Sequence, residues 1–431
     1  MDNGNSLSRF NDDRQAPADT GRAQRGRGPE GALGTLAKSP APARQANDLG
    51  QFVHFGSSGY LDPESGEYLP VQSPRDPVSV RLERFVLQSI ARVLLPDFRV
   101  SCCLRSLQDR AGAVSVHVSA DRRRAVYGGL QTCGSVWVCP VCAAKVSERR
   151  RVELDRAATE WRSRGGELAL LTLTHPHESD DSLSDLLRAE QAAMSAFWGH
   201  FSVRRALRDV GCVGHVRGWE VTHGRFAHAN GWHPHFHVLL FVRAGVDLDA
   251  LRSGLYPYWL SACRRAGLRD PSLARGLRVD AGTRAAEYVT KWGADEARAG
   301  EAAQRWGVAC ELAKSHIKRG SAGQAETPFD LLRSVHVGGD SGARELFCEY
   351  ARAFRGKRQL VWSRGLRDLL ALGEDLTDEQ IAALHEDDLA LLGRLSPEDW
   401  RSVLRADVRG ELLELARSGG WEAVQRLLLS L

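Results

Sequence analysis

The stretch GWHPHFHVLLF (residues 231–241) puts three histidines into five positions and runs straight on into an apolar segment. No other feature restricts the fold as tightly. Alternation at period two sends His233, His235 and His237 to one face of a strand, and VLLF marks that strand for burial. Imidazoles on a buried strand must be satisfied. Two of them, at i and i+2, chelate one ion when a neighbour supplies a third ligand. HVRGWEVTH (215–223) predicts a strand beside this one. A hairpin between the two, in the register assumed here, sets Glu220 opposite His237 and Thr222 opposite His235, all on one face. Taken alone, an exposed His-x-His pair is the plainer account. His175, His177, His200, His215, His223 and His228 read as loop or surface residues.

A second cluster lies upstream. Cys133-Gly-Ser-Val-Trp-Val-Cys139-Pro-Val-Cys142 is a C-x5-C-x2-C run whose CPVC turn suits two thiolates on Zn2+, with Cys133 as a third. A closed structural site needs a fourth ligand: Cys103 or Cys102, with His117 as the alternative. The opening MDNGNSLSRFNDDRQ lacks the apolar core of a secretory signal, and no run approaches the ~18 apolar residues of a membrane span. The chain is therefore expected in the cytoplasm, where clustered cysteines bind metal before they form disulfides. Cys212, Cys263, Cys310 and Cys348 read singly as buried thiols.

A length of 431 residues suggests two or three domains, and 43% apolar residues suffice for a core. Residues 1–50 hold seven glycines, four prolines and one aromatic, so 1–76 is expected to be a disordered or loose arm. A helix is predicted over VSVRLERFVLQSIARVLL, then strands at 114–120 and 125–132. A basic helix, KVSERRRVELDRAATEWRSRGG, should stop at Gly165–Gly166 and could lie along phosphates or simply be solvated. LALLTLT (168–174) predicts a central strand, and helices are expected over 181–210 and through 246–315. The boundaries expected are 77–165 for a zinc- and DNA-binding region, 166–372 for the histidine-bearing domain with a helical extension, and 373–431 for a helical C-terminal module. The net charge of +4 hides an asymmetry: residues 374–431 carry 13 acidic and 6 basic groups, which leaves +11 on the rest. A basic body is compatible with DNA.

The order of these blocks resembles the rolling-circle replication initiators of the HUH endonuclease superfamily, named for two histidines flanking a bulky apolar residue. His235-Phe236-His237 fits that pattern. LLTLT (170–174) resembles the first family motif, and AAEYVTKW (285–292) resembles the third, which carries a nucleophilic tyrosine and a lysine. GLQTCGSVWVCPVCAAK, ELAKSHIKRGSAGQAETPFDLL and QLVWSRGLR resemble the initiators of small actinobacterial plasmids.

The resemblance implies an α+β fold whose central antiparallel sheet is of the HUH type, flanked by helices, with a zinc-binding element and a small C-terminal helical module. It implies that His235, His237 and Glu220 hold Mg2+ or Mn2+ and that Tyr288 attacks a DNA phosphate. A phenol of pKa ~10 needs a cation to ionise, and Lys291, at i+3 on a helix, is on the same flank. Ala281, Ala285, Tyr288 and Trp292 also follow helical spacing, which core packing explains; the motif order assigns Tyr288 the chemistry over Tyr256 and Tyr258. Related initiators place a glutamate one turn before the tyrosine. Here Arg284 stands there and Glu287 is adjacent, ~100° away around a helix, so its part in termination is open beside a plain pairing with Lys291. Zn2+ is implied at Cys103, Cys133, Cys139 and Cys142. Plasmid origin DNA, single-stranded or as a melted hairpin, is the implied partner. The chain has no GxxxxGK[ST] loop, so a host helicase and DNA polymerase are implied too. The alternatives are a conjugative relaxase, a single-tyrosine transposase, or a zinc-dependent DNA-binding regulator without catalysis.

Overall fold

The computed structural model describes residues 59–61, 68–70, 77–108, 111–225, 230–282, 325–384 and 388–431. These belong to one unit, Gly56–Leu431; the other, Met1–Phe55, lies outside the described residues. So do Glu287, Tyr288 and Lys291.

A short hairpin of β1 (Gly59–Leu61) and β2 (Tyr68–Pro70) precedes α1 (Pro77–Leu94). The alternating segments expected next form β3 (Val114–Ser119) and β4 (Ala125–Gly128). Helix α2 (Pro140–Ser163) starts on a proline in its first turn, with the Cys139 sulfur accepting from the Cys142 amide as a cap. It stops where predicted. Gly165 takes φ +82°, where an L side chain is strained, and a Cβ on Gly166 would lie 2.2 Å from the Trp161 indole.

Strand β5 (Gly166–Leu173) follows, then α3 (Leu183–Gly199) and α4 (Phe201–Asp209). The two helices are split by the extended backbone of His200, whose ring accepts from the Ser202 amide. Strands β6 (Gly214–Gly224) and β7 (Gly231–Arg243) form the expected hairpin. Helix α5 (Leu248–Arg265) keeps Pro257 inside it and places Tyr256 and Tyr258 on the helix. Strand β8 (Leu277–Ala281) interrupts a stretch expected to be helical, taking the free edge of β5. After it come α6 (Pro328–Gly338), α7 (Ser341–Ala353) and β9 (Leu360–Trp362).

The main sheet runs β8-β5-β7-β6-β9, antiparallel at every pair, with the histidine strand in the middle. One face carries Leu171, Leu173, Trp219, Phe236 and Val238 into the large core shared with α3, α5, α6 and α7. The other carries Leu168, Leu170, Val216, Leu239 and Phe241 under Leu154, Ala157 and Ala158 of α2. That second face continues along the strands into Thr172, Glu220 and the histidines.

The register differs from the expectation by two residues: Glu220 opposes His235, and Gly218 opposes His237. On the buried face Trp219 opposes Phe236 with ring centroids 3.9 Å apart, an aromatic cross-strand pair that locks this alignment. A slip of two keeps every side chain on its face, whereas a slip of one would have reversed them all.

The C-terminal helices are α8 (Pro397–Ala406) and α9 (Arg409–Leu429), the first opened by a capping box of Ser396 and Asp399. Leu389–Leu395, expected within that helical stretch, is strand β10 instead. It pairs with β3, giving a second sheet β10-β3-β4, and thereby covers an edge that the two-stranded hairpin leaves open. Gly393 permits this packing, since a Cβ there would lie 2.4 Å from the Trp421 indole.

Candidate metal centres

Strand β7 delivers its imidazoles side by side, and the two neighbouring strands complete the set. His237 Nε2 lies 2.8 Å from Glu220 Oε2, and His235 Nε2 lies 3.4 Å from the same oxygen. The three ligand atoms stand within 4.8 Å of one another. An octahedral ion with ~2.1 Å bonds holds adjacent ligands ~3 Å apart, which the two measured separations bracket. The side chains of His235, His237 and Glu220 are 12%, 11% and 11% exposed, enough to be reached from outside while held by the sheet.

Both rings are aimed from behind. His237 Nδ1 lies 3.1 Å from Thr172 Oγ1 on β5, and His235 Nδ1 lies 3.5 Å from the His233 carbonyl. A proton on each Nδ1, donated to those oxygens, leaves both Nε2 lone pairs turned toward Glu220. Thr172 is a residue the sequence reading did not single out. Its signal was there: a hydroxyl in an otherwise apolar central strand needs a partner.

His233 shares the histidine face but is not one of the three. Its Nδ1 lies 2.7 Å from Nε2 of His177, whose Nδ1 is 2.8 Å from the Asn230 carbonyl. Burial, then the imidazoles of His235, His177 and His175, push His233 down to about 3, so it stays neutral. His177, read from sequence as a loop residue, is thus part of the array.

Four buried sulfurs form the second group: Cys103, Cys133, Cys139 and Cys142. Cys103–Cys142, Cys133–Cys142 and Cys103–Cys139 stand 3.5, 3.6 and 3.8 Å apart. A tetrahedral ion with ~2.3 Å bonds to sulfur has an edge of ~3.8 Å, so the cage has the right size. Amides of Cys133, Ser135 and Cys142 and the Gln88 side chain donate to these sulfurs. Burial opposes a Cys139 thiolate, but hydrogen bonds from Cys103, Cys133 and Cys142 outweigh it and hold Cys139 well below the usual thiol range. Of the three candidates for the fourth position, Cys103 is the one in the cage. The Cys102 thiol donates to the Arg99 carbonyl, and His117 Nε2 sits 2.9 Å from Ser115 Oγ.

The rival tyrosines are engaged elsewhere. The Tyr256 hydroxyl donates to the Pro271 carbonyl, and the Tyr258 ring packs on His200.

Residues 128–246 match the replication protein family Rep_1, a segment that contains Cys133, Cys139, Cys142, Glu220, His235 and His237. The chain is also 30% identical over 367 residues to a Protein rep of Streptomyces lividans, an alignment covering 70% of this chain and 74% of that one. The chain belongs to the Rep replication protein family. A second relative by sequence is a protein of Streptomyces cyanogenus named for neomycin resistance, 29% identical over 219 residues, 41% of this chain and 49% of that protein. No solved structure matches this Rep chain. None of its described helices is long and apolar enough to cross a membrane.

Proposed function

We propose that this Rep protein starts rolling-circle replication of a plasmid in the cytoplasm by nicking one strand of the origin. The observation that carries the reading is the Glu220, His235 and His237 group, with its ring orientations set by Thr172 and the His233 carbonyl, in a chain of the replication protein family. Those three residues would hold Mg2+ or Mn2+, and two nitrogens with one carboxylate favour Mn2+ over the harder Mg2+. The bound ion supplies Lewis acidity at a nonbridging phosphate oxygen.

In this reading the Tyr288 phenolate attacks phosphorus, the P–O3′ bond breaks, and the strand leaves a free 3′-hydroxyl and a 5′-phosphotyrosine. Lys291 lowers the cost of ionising the phenol and supplies a proton to the departing oxygen. Attack by another 3′-hydroxyl reverses the step and rejoins strands without a nucleotide cofactor. Glu287 is assigned no more than an accessory part in termination. Zn2+ in the Cys103, Cys133, Cys139 and Cys142 cage is structural. Residues 166–372 form the nicking domain and 77–165 the zinc- and DNA-binding region, with 373–431 as the acidic C-terminal part. A host helicase and DNA polymerase extend the freed end.

The test is incubation of the full chain with single-stranded origin DNA and Mn2+, followed by denaturing electrophoresis. A covalent adduct is expected with the natural chain. Tyr288→Phe should lose it and keep DNA binding, and His235→Ala should lose it at Mn2+ concentrations that saturate the natural chain. No adduct with the natural chain would favour a non-catalytic zinc-dependent regulator, and an adduct that survives in Tyr288→Phe would move the nucleophile elsewhere.

A further inference from the structure

On the face of the main sheet turned away from the histidines, a cavity of about 170 Å3 opens between α3, β6 and the segment before β9. Gln191, Arg217, Trp219, Lys357, Arg358 and Gln359 line it. Among the described residues, three cations converge here and no carboxylate does. Lys357 Nζ stands 5.7 Å over the Trp219 ring, which orients the ammonium without neutralising it. Among the described residues, no carboxylate pairs with Arg217, Lys357 or Arg358.

Other shielded arginines of this chain are treated differently. Arg150 meets Glu153, Asp375 and Asp378; Arg225 meets Glu326 and Asp340; Arg333 meets Glu83 and Asp330. Arg217 is half-buried, and burial works against its charge. A shielded guanidinium without an internal anion carries a desolvation cost that an external anion relieves. Gln191 beside it adds a neutral hydrogen-bonding group, while the Gln359 amide nitrogen is already donated to Ser147 Oγ. The volume falls below the ~300 Å3 at which small-molecule pockets begin. It suits one phosphate group with its ester oxygens, the rest of a nucleotide staying outside.

We propose that this cavity grips a backbone phosphate of DNA, at a second contact on the reverse of the sheet from the metal centre. The proposal takes from the functional reading only that DNA is the partner. Strand β6 then serves both contacts, since Glu220 and Trp219 are neighbours that face opposite sides. A free phosphate or nucleotide tail offers the same chemistry, and the experiment separates the two sources.

Affinity for a short fluorescein-labelled DNA duplex is measured by anisotropy across about 50–200 mM salt, using the full chain without added divalent cation. Binding is thus read whether or not the chain cuts DNA. The triple variant Arg217→Gln, Lys357→Gln, Arg358→Gln should bind about tenfold more weakly or worse, with the slope of log affinity against log salt shallower by about 1. The charge-retaining variant Arg217→Lys, Lys357→Arg, Arg358→Lys should keep the natural slope. An unchanged slope in the glutamine variant overturns the proposal. So does protection of the natural chain against heat by inorganic phosphate or ATP, lost in the variant, with an unaltered DNA slope. If the triple variant does not melt cooperatively, the exposed Arg358→Gln alone decides. A shallower slope supports the site and an unchanged one removes it.

Discussion

At the scale of single residues, Thr172 matters more than its plain side chain suggests. Its hydroxyl stands 3.1 Å from His237 Nδ1, and a hydrogen bond accepted there fixes the tautomer and raises the basicity of Nε2. Thr172→Val keeps the shape of the strand and removes the acceptor. Mn2+ affinity, read by competition with a fluorescent chelator, should fall about 10–100-fold, while the melting midpoint of the ion-free chain stays close to natural. Equal affinity in the two chains would mean that Glu220 alone orients the ring. Glu220 shows how far sequence reasoning reached. The assumed register was off by two residues, yet the carboxylate still meets both imidazoles, because period-two alternation keeps the face whenever the slip is even.

At the scale of elements, α2 has a role that its basic composition concealed. Its basic residues read as either a strip for phosphates or a solvated face, but most are committed within the chain. Arg150 is buried among Glu153, Asp375 and Asp378, Arg151 pairs with Glu148 and Asp155, and Lys145 donates to the Ala382 and Leu384 carbonyls. The helix is a beam. Its first turn supplies Cys139 and Cys142, its middle docks the segment around the short helix Asp378–Ala383, and its second half covers the sheet beside the histidines. The cage therefore staples the start of this beam to the turn after α1 through Cys103. One zinc per chain is expected by atomic absorption. Cys142→Ser should lose it, lower stability by ~4 kcal/mol or more, and raise amide exchange at the start of α2. Full stability and protection in a zinc-free chain would reduce the cluster to four packed thiols.

At the scale of the whole molecule, the chain closes on itself. The C-terminal part was expected to stand apart, but β10 pairs with β3, and α9 reaches the cage indirectly. Buried Arg409 donates to the Gln88 side-chain oxygen at 2.7 Å, and the Gln88 amide donates to Cys139 Sγ at 3.2 Å. Trp400 is 5% exposed, packs edge-on against Tyr127, and donates to the Arg105 carbonyl. Trp400→Ala should cost ~3–5 kcal/mol in urea unfolding of the entire unit, with all probes shifting together. A separate early transition, leaving the main sheet untouched, would show that the C-terminal part folds independently.

What the sequence determined by itself is local in origin. The histidine face, the CPVC turn, the proline-started helices and the glycine stop after α2 follow from residues a few positions apart, whose sterics and hydrogen bonds act within a single turn or strand. What only the tertiary structure decided joins residues far apart in the chain: Cys103 over Cys102 and His117, the acceptor behind His237, the strand at 389–395, and the partners of the arginines in α2. Those outcomes depend on register and on which surfaces remain to be buried once the sheets form. No local pattern carries that information, because the competing pairings have similar local energies and differ only in how the assembled core closes over them.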